Sequence, residues 1–143
     1  MVHEKIETKK APAPGNYSQG RMVDLGTYKI LYTAGQTGNK PDTDEVVKGG
    51  IRPQTKQALD NIKGIVEKAG GTLDDIVKVT VFMKDMASNK KGFEEIYKSY
   101  LKKPYPARSL VEVSEIPLVT EDTIVEIEAI AYINTEESLK WQG

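Results

Sequence analysis

The sequence predicts one α+β domain in which two helices lie on one face of a mixed β-sheet. Three observations predict it. Two long stretches carry apolar residues at helical spacing, shorter stretches alternate apolar and polar residues as strands do, and the elements follow the order ββαβαββ. A chain of 143 residues with 38% hydrophobic content fills a single core of ordinary size.

Residues 1–13 are polar and then proline-rich at Ala11, Pro12, Ala13 and Pro14. Such a composition buries little and reads as a flexible arm, with the domain spanning residues 14–133. Stretches 17–23 and 28–34 have good strand propensity and flank Asp24-Leu25-Gly26-Thr27, so a β-hairpin is expected. Residues 38–50 mix Gly, Asn, Pro, Asp and Thr without period and read as a loop with solvated acidic residues. Ile51, Thr55, Ala58, Leu59, Ile62, Ile65, Val66 and Ala69 recur on one helical face, Pro53 is tolerated in the first turn, and Gly70-Gly71 stops the run. Val77, Val79, Val81 and Met83 then alternate with Lys78, Thr80 and Phe82 as a strand. Phe93, Ile96, Tyr97, Tyr100 and Leu101 mark a second helix, opened by a Ser88 or Asn89 cap and closed by Pro104. Strands at 107–113 and 124–133 complete the pattern, and residues 134–143, with Trp141, read as a C-terminal tail, either a short helix or an appendage.

The last strand is apolar on both faces. Val125, Ile127, Ala129, Ala131 and Ile133 share one face, while Ile124, Ile130 and Tyr132 share the other with Glu126 and Glu128. Helices on one side leave the second face uncovered, and another copy of the chain is the expected cover.

Composition narrows the chemistry. With 20 basic against 21 acidic residues, no net field favours phosphate backbones or anionic lipids. The absence of cysteine excludes disulfides, a thiol nucleophile and thiolate metal sites. The charged N-terminus lacks the apolar stretch of a signal peptide, and no segment has about 18 consecutive apolar residues, so a cytoplasmic location is expected. The single histidine, His3, lies in the arm, which disfavours histidine acid/base pairs and a Ser-His-Asp arrangement. Asp42, Asp44 and Glu45 lack calcium-loop spacing, so no metal is expected. Gly35, Gly38 and Gly49-Gly50 form neither a phosphate loop nor a dinucleotide fingerprint, so no cofactor is expected.

What remains is a site built from charge and hydrogen bonds. Arg108, which follows Tyr105-Pro106-Ala107 into a strand, carries a planar fork suited to a carboxylate. Glu126 and Glu128 sit among apolar neighbours, where a carboxylate's pKa rises and suits proton transfer. Spacing alone favours a structural ion pair between Arg108 and one of these glutamates, or simple solvation of all three, over a functional site.

Pro106-Ala107-Arg108-Ser109-Leu110-Val111-Glu112-Val113, Ile116-Pro117 and Val125-Glu126-Ile127-Glu128-Ala129-Ile130-Ala131 together resemble the C-terminal signature of the Rid imine-deaminase family, the YjgF-like group. Ala13-Pro14-Gly15-Asn16-Tyr17-Ser18-Gln19-Gly20, Thr33-Ala34-Gly35-Gln36, Gln57-Ala58-Leu59-Asp60-Asn61-Ile62 and Val77-Lys78-Val79-Thr80-Val81-Phe82 match it in the same order, so that roughly residues 10 to 133 are covered. The resemblance implies a chorismate-mutase-like fold and a homotrimer with sites in clefts between subunits. It implies cofactor-free hydrolysis of 2-imino acids, of the 2-iminobutanoate and 2-iminopropanoate type, to 2-keto acids and ammonia. On this resemblance Arg108 binds the substrate carboxylate and Glu126 positions water. Tyr17 and the backbone at Gly35 and Leu110 then line the pocket, and Glu128 is structural. Three positions depart from the family pattern: Asn16 stands for a proline, Ala34 for a serine, and Glu94 for a pocket asparagine. A carboxylate at Glu94 is placed to repel an anionic substrate or to compete for the guanidinium, or else is a solvated helix residue beside Glu95. Two other functions compete with the imine deaminase. One is a non-catalytic trimer that binds small carboxylates or regulates a partner. The other is the endoribonuclease activity attributed to some relatives, for which the sequence offers neither histidine pair nor basic cluster.

Overall fold

The chain runs β1 His3–Ile6, β2 Gly20–Asp24, β3 Tyr28–Thr33, β4 Gln36–Thr37, α1 Ile51–Lys68, a 3-10 turn at Leu73–Asp75, β5 Ile76–Met83, α2 Met86–Tyr100, β6 Ala107–Glu112 and β7 Val125–Asn134. The computed structural model describes residues 3–117 and 120–134; of the tail predicted at 134–143, Asn134 instead closes β7 and the rest lies outside the described residues. All seven strands join one sheet, ordered β1-β2-β3-β7-β5-β6, with β4 pairing farther along β7. β5 and β6 run parallel across α2; β7 is antiparallel to both β3 and β5. The expected α+β layer is therefore present, with β7 central and β6 at an edge.

Period 2 in the strands and 3.6 in the helices decide what is buried. Val125, Ile127, Ala129, Ala131 and Ile133 of β7 are buried, as are Val79, Val81 and Met83 of β5, and all join one core with Leu59, Ile62, Ile65 and Val66 of α1 and Phe93 and Tyr97 of α2. Burying each Val, Leu, Ile, Met or Phe among them contributes roughly 1.5 to 3 kcal/mol before chain entropy is charged against it. The other sheet face lacks a helix. On it Tyr32, Tyr132 and Val111 remain 42 to 48% exposed, beside the half-buried Phe82, Ile30 and Ile130. Ile124, expected on that face, instead precedes β7 and packs against the core edge, where Gln54 Oε1 accepts from its backbone N–H at 2.9 Å.

α1 ends as its glycines require. Gly70 has φ +94°, its N–H donates to Glu67 O at 3.0 Å, and Gly71 N–H donates to Val66 O at 3.0 Å, the two bonds of a Schellman stop. Two expectations fail. The arm is structured, because His3–Ile6 pairs antiparallel with β2, burying Ile6, and Ala11 is also buried. Its anchor is the buried Gln19, whose Nε2 donates to the carbonyls of Thr8 and Pro12 at 3.0 and 2.8 Å while its Oε1 accepts from Thr8 N–H at 2.7 Å. α2 starts at Met86, ahead of the expected Ser88 or Asn89 cap, and its N-cap Asp85 makes no side-chain capping bond. Glu112 at the end of β6 takes that role, accepting from Met86 N–H at 3.0 Å, with Asn89 Nδ2 donating to Lys84 O at 2.8 Å.

Candidate active site

The candidate residues fall into two clusters, one on each side of the sheet. The first is a cleft of about 240 Å³ between the segment before β2, the β3–β4 turn and β7, lined by Tyr17, Gly35, Thr37, Asp44, Pro117 and Glu126. Glu126 faces Thr37 across the β4–β7 pair, and its half-buried side chain lies over the backbone of Gly35. A Cβ on Gly35 would fall 2.7 Å from Glu126 Cδ and 2.9 Å from Cγ, so only glycine lets the carboxylate settle there. Burial pushes the Glu126 pKa above the ordinary carboxylate value of 4.5, and the neighbouring charge of Glu128 adds to the rise. Tyr17 is half exposed at the mouth. Asp44, in the loop read as solvated, is held at the rim by Asn39, whose Nδ2 donates to Asp44 O and Oδ1 at 2.9 and 3.1 Å. Nothing in the spacing pointed to Asp44, because Asn39 is itself fixed from α1 by Asn61 Nδ2, 2.9 Å from Asn39 O.

The second cluster surrounds Arg108 on the edge strand β6. Its Nη1 donates to Glu94 Oε1 at 2.7 Å and its Nη2 to Glu94 Oε2 at 2.8 Å, a parallel two-bond pair with α2. The guanidinium carbon stands 4.7 Å from the Tyr97 ring centre and 5.6 Å from that of Phe93. The hydrogen bonds from Arg108 hold the Glu94 pKa below 4.5, against the opposing effect of burial. Arg108 thus has an ion-pair partner, and it is Glu94 rather than Glu126 or Glu128. Leu110 follows on β6, its side chain half-buried against the core.

Register separates the two clusters. Arg108 lies opposite Val79, and Val79 opposite Ala129, three residues along β7 from Glu126. Two strand spacings and three residues of rise put the Cα atoms about 14 Å apart. Val79 and Ala129 are core-facing, whereas Glu126 pairs with Phe82 on the open face. The side chains therefore leave opposite faces, and one chain cannot bring both to one small molecule. His3 lies far from either cluster, against Arg21 of β2. Among the described residues no group of three or more His, Cys, Asp or Glu side chains is placed to hold a metal ion, and no helix is long and apolar enough to cross a membrane.

Comparison with known proteins agrees with this fold. The chain is 46% identical to a RutC family protein of Pyrococcus abyssi, over 92% of this chain and 98% of that relative. It is 37% identical to human 2-iminobutanoate/2-iminopropanoate deaminase, over 92% of this chain and 90% of the human one. The crystal structure of E. coli TdcF with bound serine superposes with a TM-score of 0.78 at 38% identity, covering 92% of this chain and 99% of that one. With residues 8–133 matched by the family model described as endoribonuclease L-PSP, the chain belongs to the Rid, or YjgF, family.

Proposed function

We propose that the protein hydrolyses 2-imino acids to 2-keto acids and ammonia without metal or cofactor, in sites that two copies of the chain build together. The observation that carries the reading is Glu126: a carboxylate set in a cleft over bare Gly35 backbone, its pKa raised by burial so that it can take and return a proton. Arg108 supplies the complementary half from a neighbouring copy, since within a chain it leaves the opposite sheet face. The open face bearing Tyr32, Tyr132 and Val111 is covered in a homotrimer, which removes that apolar surface from water. Names borne by mammalian relatives, 2-iminobutanoate/2-iminopropanoate deaminase, support the substrate class.

The chemistry needs no more than these groups. Arg108 holds the substrate carboxylate by two parallel bonds and fixes the adjacent imine carbon. Glu126 orients a water and accepts one of its protons as oxygen attacks the protonated imine carbon, giving a tetrahedral carbinolamine. Returning that proton to nitrogen makes ammonia the leaving group; the C–N bond breaks as C=O forms, and the hydroxyl proton departs with ammonia or water. The two carboxylates at the cleft, Asp44 and Glu126, oppose a phosphodiester, which places the ribonuclease reading behind this one. A second reading, a carboxylate-binding trimer without turnover, draws on the occupation of Arg108 by Glu94. Semicarbazide competition separates the two. A pyridoxal-phosphate lyase makes the imine with chelator present, and the protein hastens its disappearance. Rates equal to the protein-free reaction favour the binding trimer, and activity abolished by chelator overturns the cofactor-free mechanism.

A further inference from the structure

We infer that Glu94 is a specificity-determining carboxylate that occupies the fork of Arg108 in place of a ligand, so that a small carboxylate reaches the guanidinium only by displacing it. The inference rests on the reading of Arg108 as the carboxylate-binding residue. Both terminal nitrogens of Arg108 are committed to Glu94, at 2.7 and 2.8 Å, and the rings of Tyr97 and Phe93 lie within 4.7 and 5.6 Å of its guanidinium carbon. A carboxylate ligand asks for those same two nitrogens in the same parallel geometry. The pair is partly open to water, with Arg108 and Glu94 side chains 23% and 37% exposed, so the clasp opens by rotation of Glu94 without unfolding α2.

A displaced Glu94 also has somewhere to go. Lys90 and Lys98 stand one turn before and one turn after it on α2, and both line the shallow surface depression that Glu94 borders. Residues four apart on a helix are side-chain neighbours, so an ammonium receives the carboxylate in either direction. Two arrangements follow, closed on Arg108 or open on a lysine, and ligand affinity is the intrinsic affinity multiplied by the open fraction. A clasp closed about nine-tenths of the time weakens every competing carboxylate about ten-fold. The site therefore admits a carboxylate only with the clasp open.

The test is calorimetric titration of the full-length, assembled protein with 2-oxobutanoate and with its neutral analogue 2-oxobutanamide. Glu94→Gln, which keeps the shape and removes the charge, is expected to tighten 2-oxobutanoate about ten-fold and leave the amide unchanged. Glu94→Asp, which restores the charge, moves affinity back toward the wild type, and Glu94→Ala, which lacks any acceptor, follows Gln should Gln fail to fold. Equal gains for acid and amide, or no gain for the acid while Arg108→Ala abolishes its binding, overturn the clasp and leave the role of Arg108 standing. Wild-type affinity for the acid in Arg108→Ala overturns instead the reading of Arg108 on which the clasp depends.

Discussion

Two inactive variants should restore one another when mixed, if Arg108 and Glu126 meet only across an interface. Arg108→Ala removes the guanidinium from β6, and Glu126→Gln keeps the shape of the β7 side chain while removing its proton chemistry. The register places their Cα atoms about 14 Å apart with side chains on opposite faces, whereas the carboxylate and imine carbons of a 2-imino acid are directly bonded. In a closed ring with one site per interface, a working site needs an intact Arg108 on one side and an intact Glu126 on the other. Random assembly of equal amounts meets that condition at about one interface in four. Co-refolded mixtures should therefore recover about one quarter of wild-type activity in the semicarbazide competition assay, from parents at background. Native mass spectrometry verifies that hybrids form. Hybrids that remain at background would refute the shared site, because sites complete within one chain gain nothing from mixing.

Light scattering should give three times the chain mass, and Ile130→Glu on the open face should shift the mass toward that of a single chain; a monomeric wild type would exclude the assembly. Gly35→Ala should cut the rate by about a hundred-fold or more with a small change in melting temperature, because the added methyl displaces the Glu126 carboxylate and a misplacement of about 1 Å at a catalytic group costs that much; unchanged kinetics would remove Glu126 from the chemistry. The rate should fall as pH drops through the Glu126 pKa, which burial and Glu128 raise within one chain, and a profile whose acid limb persists in Glu126→Gln would assign that limb elsewhere. The stability signs run oppositely: ionised Glu126 costs stability above its raised pKa and the cost is relieved on acidification, while Glu94 contributes stability that is present above 4.5 and lost as pH falls through its depressed value. Phe93→Ala should cost about 3 to 5 kcal/mol, measured by denaturant titration at fixed protein concentration, since Phe93 is fully buried beneath the Arg108 clasp.

The legible parts of this fold are those specified by local pattern. The α1 face, its Gly70-Gly71 stop and the alternation of β7 follow from periodicity and chirality, which act within a few residues. β1 was illegible because only Ile6 of its four residues is buried and its anchor, Gln19, acts from beyond β1. The start of α2 is not locally encoded for a similar reason, its capping carboxylate coming from Glu112 on β6. Arg108 and Glu126 stand out in the sequence as charged residues within strands, yet their separation follows from the pairing of β6 with β5 and of β5 with β7, which no single-strand pattern contains. Glu94 drew notice through a departure from the family pattern; its two-bond grip on Arg108 is tertiary.

The sheet that separates these residues also lets their charges be set independently within one chain. Within one chain, Glu126 feels burial and Glu128, both raising its pKa, while Arg108 spends its charge on Glu94. Under the shared-site reading, assembly brings a neighbour's Arg108 toward Glu126, and a cation within a few ångströms favours the ionised carboxylate. A substrate carboxylate that draws Arg108 away from Glu94 replaces one anionic partner of the guanidinium with another, so the charge that Arg108 presents to Glu126 is little changed when the imine is in place. On that reading the glutamate on α2 and the glutamate on β7 act on one guanidinium from two chains: one holds it closed before the ligand arrives, and the other works beside it afterwards.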